Sequence, residues 1–187
     1  QDCRNGATLA TIAGGHTLAM VAAVVGAVTE VSACNSILCP IVTVSGTDRT
    51  VARTCADHMM LHTRHDSGCV ANIEIVGGDF TPLTFELVGT TGRLAIRGHH
   101  PGGYQCGELT VECTAGAPQP APEFPTLSDA AVNVARLYRR FESDIRTGRR
   151  TVADFRDAVR LTELLQAIDI ASDEGRAIAP EYGGAAF

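Results

Sequence analysis

The chain contains no lysine; all fifteen of its basic residues are arginine. That removes a Schiff-base lysine, an ammonium proton donor and the lysine of a phosphate-binding loop from its chemistry. Acidic residues outnumber basic ones, 21 to 15, for a formal net charge of −6 at pH 7. No nucleic-acid partner is expected, because neutralising phosphates needs a basic surplus. The pairs Arg139-Arg140 and Arg149-Arg150 are interleaved with Glu142, Asp144 and Asp154, as on a solvated helix face. The seven cysteines include no C-x-x-C pair, which excludes zinc-ribbon and thioredoxin-like readings. Their odd number leaves at least one thiol free or paired between chains. In the cytosol all would behave as small buried hydrophobes; in a secreted protein Cys34–Cys39 or Cys106–Cys113 becomes a conceivable bridge. No apolar run reaches the ~20 residues of a membrane span, and no signal-peptide pattern is present. A cytoplasmic location without membrane partner is expected, with secretion after processing to Gln1 as the alternative.

What is present suits a globular domain. The 187 residues are 45% hydrophobic and 19% charged, enough for a core without staples. Residues 11–26, TIAGGHTLAMVAAVVG, form an apolar run with one ionisable side chain, His16, directly after Gly14-Gly15. Its pattern predicts a helix over 7–25, apolar almost all round, with Gly26 as C-cap. The glycine pair implies a close approach to the backbone or a break in the helix, since interior glycine costs about 1 kcal/mol. Alternating and apolar runs then predict strands at 28–34, 40–44, 57–65, 69–76, 83–88, 93–97 and 108–113. Residues 115–125 read as a proline-rich connector. Helices follow from Ser128 or so to about Arg146, and from Thr151 with Asp154 as its third residue. The order gives an α+β fold: an open, mostly antiparallel sheet of about six strands with helices on one face. Residues 1–176 read as one domain and 177–187 as a flexible tail. The uncovered sheet face is expected to pair with a second copy as a homodimer.

These segments resemble a known family. GGHTLAMVAAVVGAVTEVSA, TCADHMMLHTRHDSGCVANIEIVGG, LTFELVGTTGRLAIRG, VARLYRRFESDIRTG and DFRDAVRLTELLQAIDIASDEGR occur in the order seen in the C-terminal domain of Gfo/Idh/MocA oxidoreductases. The resemblance spans roughly residues 8–176. It implies a substrate-shaping and oligomer-forming domain that normally follows an NAD(P)-binding Rossmann domain. This chain has no G-x-G-x-x-G unit and no room for one, so no cofactor is expected in it; NAD(P) would require a Rossmann domain from elsewhere. His16 occupies the position of the family's catalytic histidine. The acidic residues often found four before and three after it are replaced by Ile12 and Ala19.

His16 is therefore read either as a general acid or base near neutral pH or as a structural histidine. On the predicted strand 57–65, His58, Met60, His62 and Arg64 share one face, fit for a substrate wall or a subunit interface, and His65 faces the other way. His58 and His62 would stand ~13 Å apart, too far to share a metal ion. His99, His100 and Tyr104 occupy a glycine-rich loop that is either a surface turn or a pocket rim, with Tyr104 as a donor. The expected partner is a small organic molecule. The expected function is non-redox isomerase, lyase or cyclase chemistry on a small organic molecule with His16 and Tyr104 as catalytic residues, without hydride transfer by this chain itself; the alternatives are the substrate-binding and oligomerisation half of an oxidoreductase and a non-catalytic binding dimer.

Overall fold

The computed structural model describes residues 2–77, 82–100, 103–107, 109–114, 116, 124 and 126–182. They fall into two compact units, Gln1–Asp79 with Asp154–Phe187, and Phe80–Ala153. The proline-rich connector expected at 115–125 lies almost wholly outside the described residues.

The first unit is built on β4, His58–His65, which pairs antiparallel with β1, Val28–Ser36, on one edge and with β5, Val70–Val76, on the other. Side chains alternate along β4 with the period of two that a pleated strand imposes. Met59, Leu61, Thr63 and His65 are buried, and the residues between them face outward. The buried face is covered by helices. Helix α3, Phe155–Glu174, packs on β1 with Leu164, Ala167, Ile168 and Ala171 inward. Helix α1, Gly15–Val25, adds Leu18, Val21 and Val25. Burying each of the larger side chains contributes roughly 1.5–3 kcal/mol. A small ladder of β2, Ile41–Thr43, and β3, Thr50–Ala52, completes the unit's strands among the described residues.

The helix expected over 7–25 starts later and differently. Ala10–Gly14 is a π-helical turn, in which the Gly14 amide donates to the Leu9 carbonyl at 2.8 Å. A Cβ on Gly14 would stand 3.3 Å from that carbonyl and 3.7 Å from the Met59 side chain. The tight neighbour is the Leu9 carbonyl within the widened turn, while the Met59 distance is an ordinary contact, so the glycine pair coincides with the change of helix type from the π turn to α1. The helix ends at Gly26, whose φ of 99° and contact with the Asp66 carboxylate leave no place for a Cβ. His65 fastens this corner: Nδ1 lies 2.8 Å from the Gly26 carbonyl and Nε2 2.9 Å from Thr63 Oγ1. A carbonyl only accepts, so Nδ1 carries the proton and Nε2 accepts from the threonine. The structural histidine of this core is thus His65.

Beyond α3 the chain is anchored where a loose tail was expected. Ile178 and Val31 exchange backbone hydrogen bonds at 2.8 Å each way, and the Tyr182 hydroxyl donates to the Val28 carbonyl at 2.7 Å. Residues 183–187 lie outside the described residues.

The second unit holds β6, Leu83–Gly89, β7, Gly92–Gly98, and β8, Leu109–Cys113, in the order β6-β7-β8, all antiparallel. Helix α2, Asp129–Thr147, follows. Past α2, the Asp144 carboxylate accepts from the Thr151 amide at 2.7 Å, the Thr151 hydroxyl at 2.9 Å and the Val152 amide at 2.9 Å. Thr151 is therefore engaged and does not start α3. Asp154 does: it accepts from the Arg156 and Asp157 amides while Asp157 accepts from the Asp154 amide, a reciprocal cap.

The α+β class and the antiparallel pairing are as expected. The strands number eight in three sheets among the described residues, where about six in one sheet were expected. The short β3 was missed because three residues carry too little alternation to register. All seven thiols are free, so neither conceivable bridge is formed.

Ile168→Ala, at a site with 0% exposure, should lower stability by about 2–5 kcal/mol. Ile170→Ala, 44% exposed on the same helix, should cost less than about 1 kcal/mol. Denaturant midpoints at unchanged slope measure both; equal losses would misplace the core.

Candidate functional site

His16 is exposed, one residue into α1. Within one helical turn of it, at positions 12 and 19, Ile12 and Ala19 are exposed as well. The imidazole thus lacks a carboxylate at either position where the resemblance would place one. Nothing at these positions orients or polarises it for proton relay.

On the sheet, His58, Met60, His62 and Arg64 do share the outward face of β4. Register places Ser36, Cys34, Ser32 and Glu30 beside them on β1. On β5 the neighbours are Val76, Glu74, Asn72 and Val70. His58 Nε2 meets Glu74 Oε1 at 2.9 Å, and Arg64 Nε meets Glu30 Oε1 at 3.1 Å. This face is polar, ion-paired and soft at Met60. It is also on the far side of the sheet from α1, because α1 packs on the Met59 side. His16 and the β4 group therefore do not form one site. Among the described residues, no cluster of three or more His, Cys, Asp or Glu side chains suits a metal ion.

His99, His100 and Tyr104 belong to the second unit. The histidines leave β7 exposed, and Tyr104 opens a single 3-10 turn, Tyr104–Cys106. Burial pushes the Tyr104 phenol above its ordinary value, so it is a hydrogen-bond donor at any physiological pH. Gly107 packs against His100 so closely that any side chain there would displace it. Pro101 and Gly102, counted in the same loop, lie outside the described residues.

Two concave surfaces are formed by residues that sequence reasoning passed over. In the second unit, a depression of about 330 Å³ on the β6-β7-β8 sheet is lined by Glu86, Arg93, Ala95, Arg97 and Glu112. Glu86 bridges Arg93 and Arg97 there, so much of its charge is already paired. In the first unit, a cavity of about 250 Å³ lies between the turn before α1 and the segment before β4. Thr8, Leu9 and Ile12 wall one side; Arg53, Cys55 and Asp57 wall the other. Asp57 is buried and accepts from the amides of Leu38, at 2.6 Å, and Cys39, at 3.0 Å. Arg53 Nε donates to the Cys39 carbonyl at 3.0 Å and stands 3.4 Å from Asp57 Oδ2. The Leu38 amide, then the Cys39 amide and Arg53, hold the Asp57 carboxyl below its usual range despite burial. Gly77 lines the cavity because its amide donates to the Asp57 carbonyl at 2.7 Å, and a Cβ there would stand 3.1 Å from Leu9 Cδ1. The Arg53–Asp57 spacing was the available sequence signal; Asp57 opens the strand expected over 57–65, but Arg53 sits in no periodic segment that would place it.

A carboxyl whose folded value is depressed stabilises above its unfolded value of about 4 and loses that contribution as pH falls through the folded value. Thermal melts across the acid range should show wild type losing stability below about pH 4. Asp57→Asn should be less stable at neutral pH and lose part of that acid dependence. An unchanged acid limb would mean that the carboxylate holds nothing.

No family description matches the chain, and neither does any curated protein. Solved structures do match. A super-repressor mutant of Gal80p from Saccharomyces cerevisiae superposes with a TM-score of 0.76 at 16% identity, over 97% of this chain and 52% of that one. Levoglucosan dehydrogenase, solved with NADH and L-sorbose, gives 0.67 at 18% identity over 89% and 49%. An aldose-aldose oxidoreductase from Caulobacter crescentus, solved with glycerol, gives 0.64 at 18% over 89% and 45%. The chain spans about half the length of these proteins. The likeness runs through nearly all of this chain's length, and the fold is that of the C-terminal-like domain of Gfo/Idh/MocA-type oxidoreductases.

Proposed function

We infer that this chain is the substrate-binding and assembly half of a Gfo/Idh/MocA-type oxidoreductase and does not transfer hydride by itself. The observation that carries this is the outer face of α2. Val134, Leu137, Tyr138, Phe141 and Ile145 recur at helical spacing and are each between 51% and 69% exposed. A stripe of that width is ordinarily buried, and left bare it marks an interface. The reading assigns this stripe to a nucleotide-binding body placed against it, which would bring NAD(P). His16, with Ile12 and Ala19 at the positions of the family's acids, supports the same division of labour. The resemblance gives its imidazole the catalytic position, with no acid at 12 or 19 to take part in a proton relay.

The likeness to a dehydrogenase solved with L-sorbose and an oxidoreductase solved with glycerol supports a small polyhydroxylated substrate. The open face of β1, β4 and β5 is the surface the reading gives to a second copy. Its Arg64–Glu30 and His58–Glu74 pairs surround the exposed Met60, and a two-fold interface needs such a self-complementary mix. Isomerase, lyase or cyclase chemistry has weaker support, since it needs two proton-transfer groups to converge and His16 is apart from the β4 group.

NADH fluorescence titrated with the chain alone should show no saturable change; saturable binding, or NADH-dependent turnover by the chain alone, would overturn the reading. Leu137→Ser with Phe141→Ser should shift the stability of the isolated chain by no more than about 0.5 kcal/mol per site, because among the described residues both side chains are more than half exposed. A loss of several kcal/mol would show the stripe to be covered within the chain itself.

A further inference from the structure

The cavity beside residues 7–13 holds a charged side chain that the protein uses only on one edge. The Arg53 side chain is nine-tenths buried, with 10% exposure. Among the described residues, both of its side-chain partners, the Cys39 carbonyl and Asp57 Oδ2, meet it at Nε. Arg53 lines the cavity, and no hydrogen bond of its Nη1 or Nη2 is found among the described residues. Burying most of a guanidinium side chain is costly. The charge is nonetheless held in place: Asp57 is fixed by the Leu38 and Cys39 amides, and it fixes the Nε edge in turn.

We propose that this cavity binds a small monocarboxylate with an apolar body, its carboxylate taken end-on by Nη1 and Nη2 of Arg53. The planar fork matches a carboxylate in a two-point, charge-assisted contact that a point cation would not give. One negative charge suits the site and two do not. Asp57 stands 3.4 Å from the guanidinium and already offsets part of its charge, so a phosphate dianion would meet a partly neutralised cation beside a carboxylate. Apart from Thr8, the remaining side chains of the wall are apolar or weakly polar: Leu9, Ile12, Ala13, Ala56 and the buried thiol of Cys55. At about 250 Å³ the space is below that of drug-sized sites, which selects a chain of a few carbons. The site needs no nicotinamide and stands whether or not the hydride reading does.

Isothermal titration of the full chain with butyrate and hexanoate tests this, with n-butanol and inorganic phosphate as controls. The acids should bind saturably, the alcohol should not, and phosphate should bind at least about tenfold more weakly than the acids. Arg53→Gln should weaken the acids by about tenfold or more. Ala13→Leu narrows the cavity without touching the guanidinium and should weaken them as well, so it decides the matter if Arg53→Gln does not fold. Absence of acid binding, equal binding of n-butanol or phosphate, or unchanged affinity in both folded variants would each overturn the proposal.

Discussion

Strand β4 is bonded on both edges, and its alternation sets the layout of the first unit. Every second side chain, from Met59 to His65, goes into the core, and the intervening ones are turned out. A slip of one residue would exchange the two sets, placing His58, Met60, His62 and Arg64 under the helices. The burial of Met59 and Leu61 opposes that slip. His65 adds a directional lock at the end of the strand. Its ring joins the turn after α1 to β4 through the Gly26 carbonyl and Thr63. The same constraint that forms the core therefore decides which residues can meet a ligand.

The consequence for chemistry is a separation. Helix α1 lies in the helical layer, in contact with α3, with Leu18, Val21 and Val25 buried. His16 rides on that helix and points outward from the helical layer. The polar face of β4 looks the opposite way. No local rearrangement joins the two without dismantling the core between them. A site that used His16 would have to be closed by something that packs over the helix layer, and one that used His58 or His62 by something that packs over the open sheet.

Periodicity made much of this legible. The two faces of β4, the hairpin through Ser67 and Gly68, the glycine ends of the helices and the pairing of β6 with β7 all follow from alternation and turn chemistry. What escaped were features decided by side chains that reach across the fold. Thr151 looks like a helix cap until Asp144, seven residues away, is seen to occupy it. The tail looks small and loose because the hydrogen bonds that hold it come from β1, which pairs with β4 on one edge only. The π-helical turn at Ala10–Gly14 ends at the glycine pair, and Gly14 lies beside Met59 of a distant strand, a neighbour that no local pattern names.

The cavity at Arg53 shows why site residues are harder to read than folds. Arg53 and Asp57 belong to an irregular stretch between β3 and β4, where no period assigns a side chain to a face. Their roles come from partners earlier in the chain: the Leu38 and Cys39 amides, which take the Asp57 carboxylate, and the Cys39 carbonyl, which takes the Arg53 Nε. Once Asp57 is held ionised by backbone donors, it can keep a guanidinium in a mostly buried place. Once the guanidinium is fixed at Nε, its outer edge has one direction left. The residues that carry chemistry here are thus oriented by backbone groups, which every residue possesses and which no composition or motif reveals.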